Sequence, residues 1–218
     1  MYNITLVCTH HSEFGKCNSD ELYKIIESVR PDVIFEELTQ DLFDKFYREN
    51  KIPYEPPEIR SVKRYIKDHT TSHFPVDINV SDTLSMNEIN YMFNTFNKYA
   101  VYSKIEEDQK KLFFQEGYGF LNSKQNEELV EKKKSLEKSL IEFQINKDHL
   151  SRIHELFYEE HHKREHEIIR NIYNYSGKIV YNQALLLLGS GHRKTIFQKM
   201  KKHESENNVK LNWTLYGN

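Results

Sequence analysis

The run Ala184-Leu185-Leu186-Leu187-Leu188 passes directly into Gly189-Ser190-Gly191-His192. An unbroken apolar stretch, fenced by Asn182-Gln183 on one side and by glycine on the other, has no polar face to turn to water. It therefore reads as a strand buried on both sides. Such a strand needs helices above and below it, which predicts an α/β protein: a mixed, largely parallel central sheet flanked by helices. Arg193 to Lys202 continues as a helix. In open sheets of this type ligands bind beyond the carboxyl ends of the strands, so His192 stands where such folds keep their chemistry. The glycines permit backbone turns and close approaches that larger residues obstruct. A tight strand-to-helix turn carrying an incidental histidine would account for the same residues.

Length and composition bound the alternatives. A chain of 218 residues can bury a proper core, and one domain spanning 1–218 with a helical insertion at 84–174 fits better than two full domains. The formal charge of −2 and pI near 6.6 give no pull toward nucleic acid or an anionic membrane. A mean hydropathy of −0.77 is low, yet 13% aromatic residues argue for a folded protein with a charged coat. No apolar run approaches the ~20 residues needed to cross a bilayer. The start, Met1 to Cys8, lacks the basic residues and long apolar stretch of a signal peptide, and Cys8 and Cys17 are the only cysteines. Both point to a reducing, cytoplasmic setting.

Along the chain, Asn3 to Cys8 reads as the first strand, followed at once by Thr9-His10-His11-Ser12. Ser19-Asp20-Glu21 opens a helix that Pro31 ends, and Asp32 to Leu38 is the second strand. Alternation sends Glu36 and Glu37 to opposite faces, so at most one of them points into a given site. Thr39 to Asn50 is helical, the proline-rich Ile52 to Pro57 is a connector, and Glu58 to His69 is a short basic helix. Phe74 to Val80 is expected as the third strand, closed by Ser81-Asp82 with a ligand-facing aspartate. From Thr83 to Asn174 proline is absent, and helices are expected over Met86 to Phe114, Ser123 to Asn146 and Asp148 to Tyr175. Leu129, Leu136, Leu140, Phe143, Leu150, Ile153 and Phe157 have the spacing of a seam between packed helices, which predicts a helical hairpin. Asn208 to Leu215 alternates like an edge strand.

His11, Glu37 and His192 thus fall at or just past the ends of three separate strands. If those strands are parallel neighbours, the three side chains converge on one rim. Two imidazoles and a carboxylate can hold zinc, manganese or ferrous iron and lower the pKa of a bound water. The spacing itself is not a compact metal motif, and chance placement among 11 histidines gives the same pattern.

The segments Val7-Cys8-Thr9-His10-His11-Ser12, Arg30-Pro31-Asp32-Val33-Ile34-Phe35-Glu36-Glu37-Leu38 and Leu188-Gly189-Ser190-Gly191-His192 resemble the TraB/PrgY and Tiki group of the erythromycin-esterase and ChaN-like superfamily. The resemblance covers roughly residues 4 to 38 and 160 to 197. It implies that His11 and His192 are the motif histidines, that Glu37 is the strand carboxylate, and that Arg164, within Lys163-Arg164-Glu165-His166, is the central arginine. Cys8 stands where the group has glycine, which implies either a relaxed turn or a thiol that has joined the chemistry. Tiki-related members are regarded as metal-dependent proteases, erythromycin esterases use His and Glu for hydrolysis, and ChaN-like members are associated with haem or iron. The implied activity is a hydrolase with a divalent metal, manganese, zinc or iron, acting on a peptide or a small-molecule substrate.

Elsewhere, His162 and His166 share a helix face, but their surroundings, Glu159-Glu160-His161-His162-Lys163-Arg164-Glu165-His166-Glu167, read as solvated. Arg164 can clamp a substrate carboxylate or phosphate, or pair with a neighbouring glutamate. Cys17 reads as an inert loop thiol. Two function classes follow: a metal-dependent hydrolase built on His11, Glu37, His192 and Arg164, or a non-catalytic binding or regulatory protein that keeps the fold. In the second, the helical insertion is a partner surface; in either, it offers a route to a homo-oligomer.

Overall fold

The computed structural model describes residues 2–49, 51–80, 83–206 and 209–217. A five-stranded sheet forms its centre, in the order β3-β2-β4-β1-β5, with every neighbouring pair parallel. The strands are β1 (Tyr2–Thr9), β2 (Val33–Glu36), β3 (Ser72–Pro75), β4 (Gln183–Gly189) and β5 (Leu211–Leu215). The expected neighbourhood is present: β4 lies between β1 and β2, pairing Thr9 with Gly189 on one side and Glu36 with Leu187 on the other.

Burial on both faces explains the apolar runs. On one face Ala184, Leu186 and Leu188 pack with Ile4, Leu6 and Phe35 under Ile168, Ile169 and Ile172, and under Ile196 and Met200. On the other, Leu185 and Leu187 pack with Val7 and Ile34 under Leu22, Ile25, Ile26, Val62 and Tyr65. The covering helices are α1 (Ser19–Val29), capped by the Asn18 side chain, and α3 (Pro57–Asp68) on the second face. Over the first face lie the end of α8 (Lys147–Ser176) and α9 (Arg193–Glu206). The shorter α2 (Gln40–Tyr47) follows β2. Because β1 hands the chain to α1 on one face and β4 hands it to α9 on the other, a crevice opens between their carboxyl ends.

The insertion contains the expected hairpin, with Leu136, Leu140, Leu150, Ile153 and Phe157 in one core, and further helices ahead of it. It comprises α4 (Met86–Phe96), α5 (Ala100–Glu116), α6 (Tyr118–Leu121), α7 (Lys124–Glu142) and the first part of α8. The expected helix from Met86 to Phe114 breaks at Asn97-Lys98-Tyr99, where Ser85 has capped α4 and the Asn97 and Tyr99 amides turn back onto Phe93 and Phe96. Gly117, at φ 61, separates α5 from α6 in a conformation that L side chains rarely adopt. The insertion has its own core of Met92, Phe96, Tyr102, Leu140, Ile141, Leu150 and Ile153. Phe143, expected in the seam, is 79% exposed at the turn between α7 and α8.

The third strand is also shorter than expected, because β3 stops at Pro75. The Val76 amide still donates to the Glu36 carbonyl of β2, and the chain leaves the ladder at Asp77, whose amide donates to the Leu38 carbonyl beyond the strand. The aspartate just past the strand end is thus Asp77; Ser81 and Asp82 lie outside the described residues. The last strand starts at Leu211, and Asn208 also lies outside them.

Besides packing Phe113, Tyr118, Phe120 and Leu121 beside Val7, the insertion hydrogen-bonds the edge of β1. The β5 pairing with β1 ends at Leu6. Two residues later the Asn122 side chain takes over, accepting from the Cys8 amide at 2.7 Å and donating to the Cys8 carbonyl at 3.0 Å. No described helix is long and apolar enough to cross a membrane.

Candidate active site

The crevice brings His11, Glu37 and His192 to one point, and Gly189 marks it. A Cβ placed on Gly189 would lie 3.2 Å from Glu37 Oε2, 3.4 Å from His11 Nε2 and 3.7 Å from His192 Cδ2. The Gly189 amide donates to Glu37 Oε2 at 2.6 Å. A side chain here would crowd Glu37 and His11 without straining the backbone, since the φ of −54 and ψ of 135 suit any residue.

Each histidine is oriented from behind by a carboxylate. His11 Nδ1 lies 3.0 Å from Glu58 Oε1, and His192 Nδ1 lies 2.8 Å from Glu165 Oε1. An ionised carboxylate only accepts, so both Nδ1 atoms carry hydrogen and both Nε2 atoms face the cleft. Backing of imidazoles by carboxylates is the usual support of metal-ligating histidines. Glu165 is further held by the Thr195 hydroxyl at 2.5 Å and by Lys199.

Glu37 is buried, and its two oxygens divide their partners. Oε2 takes the Gly189 amide; Oε1 accepts from Arg164 Nη2 at 2.8 Å and faces His192 Nε2 at 3.4 Å. Burial opposes ionisation of Glu37, but His192, His11 and Arg164 outweigh it and hold the carboxyl at about 2. Burial likewise opposes charge on His192, and Glu165 and Glu37 reverse that, raising it to about 9. For His11 the hydrogen bond to Glu58 prevails over burial and moves its pKa upward.

Arg164 is engaged by two carboxylates of the protein, neither of them the helix neighbours expected as alternative partners. Its Nε lies 3.1 Å from both oxygens of Asp77 and its Nη2 lies 2.6 Å from Asp77 Oδ2, while the same Nη2 holds Glu37. With its side chain only 24% exposed, it is a brace between Asp77 and Glu37. Glu36 turns away from the cleft, as alternation requires, to accept from Tyr47 at 2.5 Å and to meet His73 at 2.8 Å.

Cys8 takes no part. Its thiol is buried and raised to about 12, chiefly by desolvation, and it sits within β1 without a positive φ, so no glycine is needed there. Cys17 is buried too and donates weakly to the Phe113 carbonyl.

Sequence reasoning missed four residues of this site: Glu58, Asp77, Glu165 and His161. His161 stacks on His192 at 5.0 Å between ring centroids, with its Nδ1 2.8 Å from the Phe157 carbonyl. Burial, and then the neighbouring His192 charge, lower it to about 4, so its Nε2 is a neutral acceptor. The available signal was the spacing of His161, Arg164 and Glu165, which puts all three on one face of α8. His162 and His166 lie outside that face and are exposed.

By residue type, His11 Nε2, Glu37 and His192 Nε2 are donors that could hold a divalent ion, and Gly189 puts no side chain between them. As they stand, the side chains are closed on one another, and among the described residues no group of three His, Cys, Asp or Glu is ready to hold an ion. No family model, curated protein or solved structure matches this chain.

Proposed function

We propose that the protein is a metal-dependent hydrolase of peptides or small molecules, with His11, Glu37 and His192 as the residues that would hold a divalent manganese, zinc or iron ion. The observation that carries this reading is the pair of carboxylate-backed imidazoles turned toward one carboxylate across a glycine. A bound ion would supply Lewis acidity and lower the pKa of water at the cleft.

The chain's own groups do the rest. Glu58 and Glu165 fix the histidine tautomers, and Arg164, braced by Asp77, together with the Gly189 amide fixes Glu37. His161, its Nδ1 engaged by the Phe157 carbonyl and its ring stacked on His192, offers an unprotonated Nε2 as a hydrogen-bond acceptor for the attacking water. The water oxygen bonds to the substrate carbonyl carbon, the carbon–nitrogen or carbon–oxygen bond breaks, and the leaving group takes the proton that the water has lost. Burial of the Glu37 and Glu165 side chains keeps bulk water from the charged pairs.

A second reading is favoured by His192 lying between two carboxylates, at 2.8 Å and 3.4 Å. There the imidazolium is the acid of a metal-free hydrolase. Metal content of protein purified without chelator separates the two, combined with thermal melts in added manganese, zinc or ferrous iron and a panel of ester and peptide substrates. Stoichiometric metal that is lost in His11→Ala supports the first reading. Turnover by metal-free protein supports the second. Neither metal, stabilisation nor turnover would leave a non-catalytic binding or regulatory protein.

A further inference from the structure

Above the cleft lies a cavity of about 540 Å³, whose floor is the strand rim from Thr9 to Ser12 and Gly189 to His192 and whose far wall is the helical insertion. That size suits a small organic ligand. The insertion wall is aromatic. Phe93 meets Phe157 edge-on at 5.3 Å, Phe157 meets His161 at 4.2 Å, and His161 stacks on His192 at 5.0 Å. A continuous series of rings thus leads from the insertion to the histidine of the cleft.

The lysines and glutamates that line the cavity are equal in number, and the charge of His192 on its floor is met by Glu165 and Glu37. Lys110, Lys133 and Lys134 line it, and so do Glu106, Glu137 and Glu165. Lys133 pairs with Glu106, Lys134 with Glu131, and Glu137 is surrounded by Tyr102, His154 and Tyr158. Nothing in this balance selects an ion, whereas the rings offer stacking and edge contacts to an uncharged group.

We infer that the insertion wall is the subsite for an uncharged, phenyl-sized apolar group, so that the substrate is a small neutral ester or amide carrying such a group next to the reacting carbonyl. The subsite rests on the cavity; the ester or amide rests on the hydrolase reading above.

The experiment keeps these apart. Binding is measured by ligand-observed NMR with a ketone that cannot be hydrolysed, benzyl methyl ketone, against acetone. Turnover is measured with ethyl phenylacetate against ethyl acetate. The phenyl compounds are expected to bind and react on the order of tenfold better or more, the ester difference lying mainly in KM. Phe157→Ala should erase the preference. Because Phe157 also packs on the insertion core, Val130→Trp serves as a second variant: Val130 lines the cavity, and the larger ring should fill it. Phenyl-selective ketone binding without turnover of either ester supports the subsite and overturns the hydrolase reading. Turnover of both esters alike, with no ketone preference, does the reverse. Loss of both overturns both, and a preference unchanged in folded Val130→Trp overturns the placement of the subsite.

Discussion

Gly189→Ala is the most discriminating single change in this molecule. Its backbone angles suit alanine, so the added methyl brings no conformational strain and reduces the freedom of the unfolded chain, a gain of about 0.4–1 kcal/mol. Against this, the methyl would lie 3.2 Å from Glu37 Oε2 and 3.4 Å from His11 Nε2, so both must give way by a few tenths of an ångström. The 2.6 Å bond from the Gly189 amide to Glu37 is the contact most disturbed, and a hydrogen bond to a charged group contributes about 1.5–3 kcal/mol. The expected net loss of stability is therefore only about 1–2 kcal/mol, read by urea denaturation. Function should suffer more, because misplacement of the reacting groups by 1 Å can cost on the order of a hundredfold. Metal affinity by calorimetry, and turnover where a substrate is found, should each fall on the order of tenfold or more. A folded Gly189→Ala protein with unchanged metal affinity and turnover would refute the use of this space. A loss of about 4 kcal/mol or more would show that the glycine serves packing instead.

Other expectations follow from the same geometry. Leu187→Ala, in the sheet core on the α1 and α3 face, should cost about 2–5 kcal/mol and act through unfolding; a well-folded but inactive variant would contradict this. His11→Ala, His192→Ala and the double variant should lose activity to similar extents, since groups acting as one unit are not additive; kinetics showing multiplied losses would separate their roles. Glu37→Gln should lower turnover at least on the order of a hundredfold while circular dichroism stays native, because shape is kept and charge removed. In the insertion, burial opposes ionisation of Glu137, but hydrogen bonds from His154, Tyr158 and Tyr102 prevail and hold its pKa below the ordinary carboxylate value. Its folded pKa being depressed, the stability it adds is present above the unfolded value of about 4.3 and disappears as pH falls through the folded one. Acid melts of Glu137→Gln should accordingly show a weaker loss of helix than the native protein; identical acid profiles would remove this role.

The sheet was legible because strands buried on both faces have little choice of composition. β1, β2 and β4 announce themselves as apolar runs, and the residues just past their ends, His11, Glu37 and His192, could be located by counting. What surrounds them was hidden because it comes from elsewhere in the chain. Glu165 sits among charged neighbours on α8, and only the placement of that helix over the rim turns its one inward face into a polar interior. Glu58 similarly reads as the start of a basic helix until α3 packs beside β1. Asp77 was masked by alternation that continued past Pro75, suggesting a strand where the backbone has already left the ladder. The hairpin was legible in its seam, but the break that divides Met86 to Phe114 was not, since the turn from Asn97 to Tyr99 contains neither proline nor glycine to mark it.

The Asn122 amide bears on how the border of the sheet is finished. β5 covers β1 only as far as Leu6, leaving the Cys8 amide and carbonyl facing sideways at an unfinished border. Such groups recruit strands from other molecules. Asn122 presents one acceptor and one donor at the spacing of a peptide, closing that border with a side chain that cannot propagate a ladder. Without it, the site-bearing strand would double as a template for self-association, and a defect in the insertion would surface as insoluble protein before it surfaced as lost chemistry.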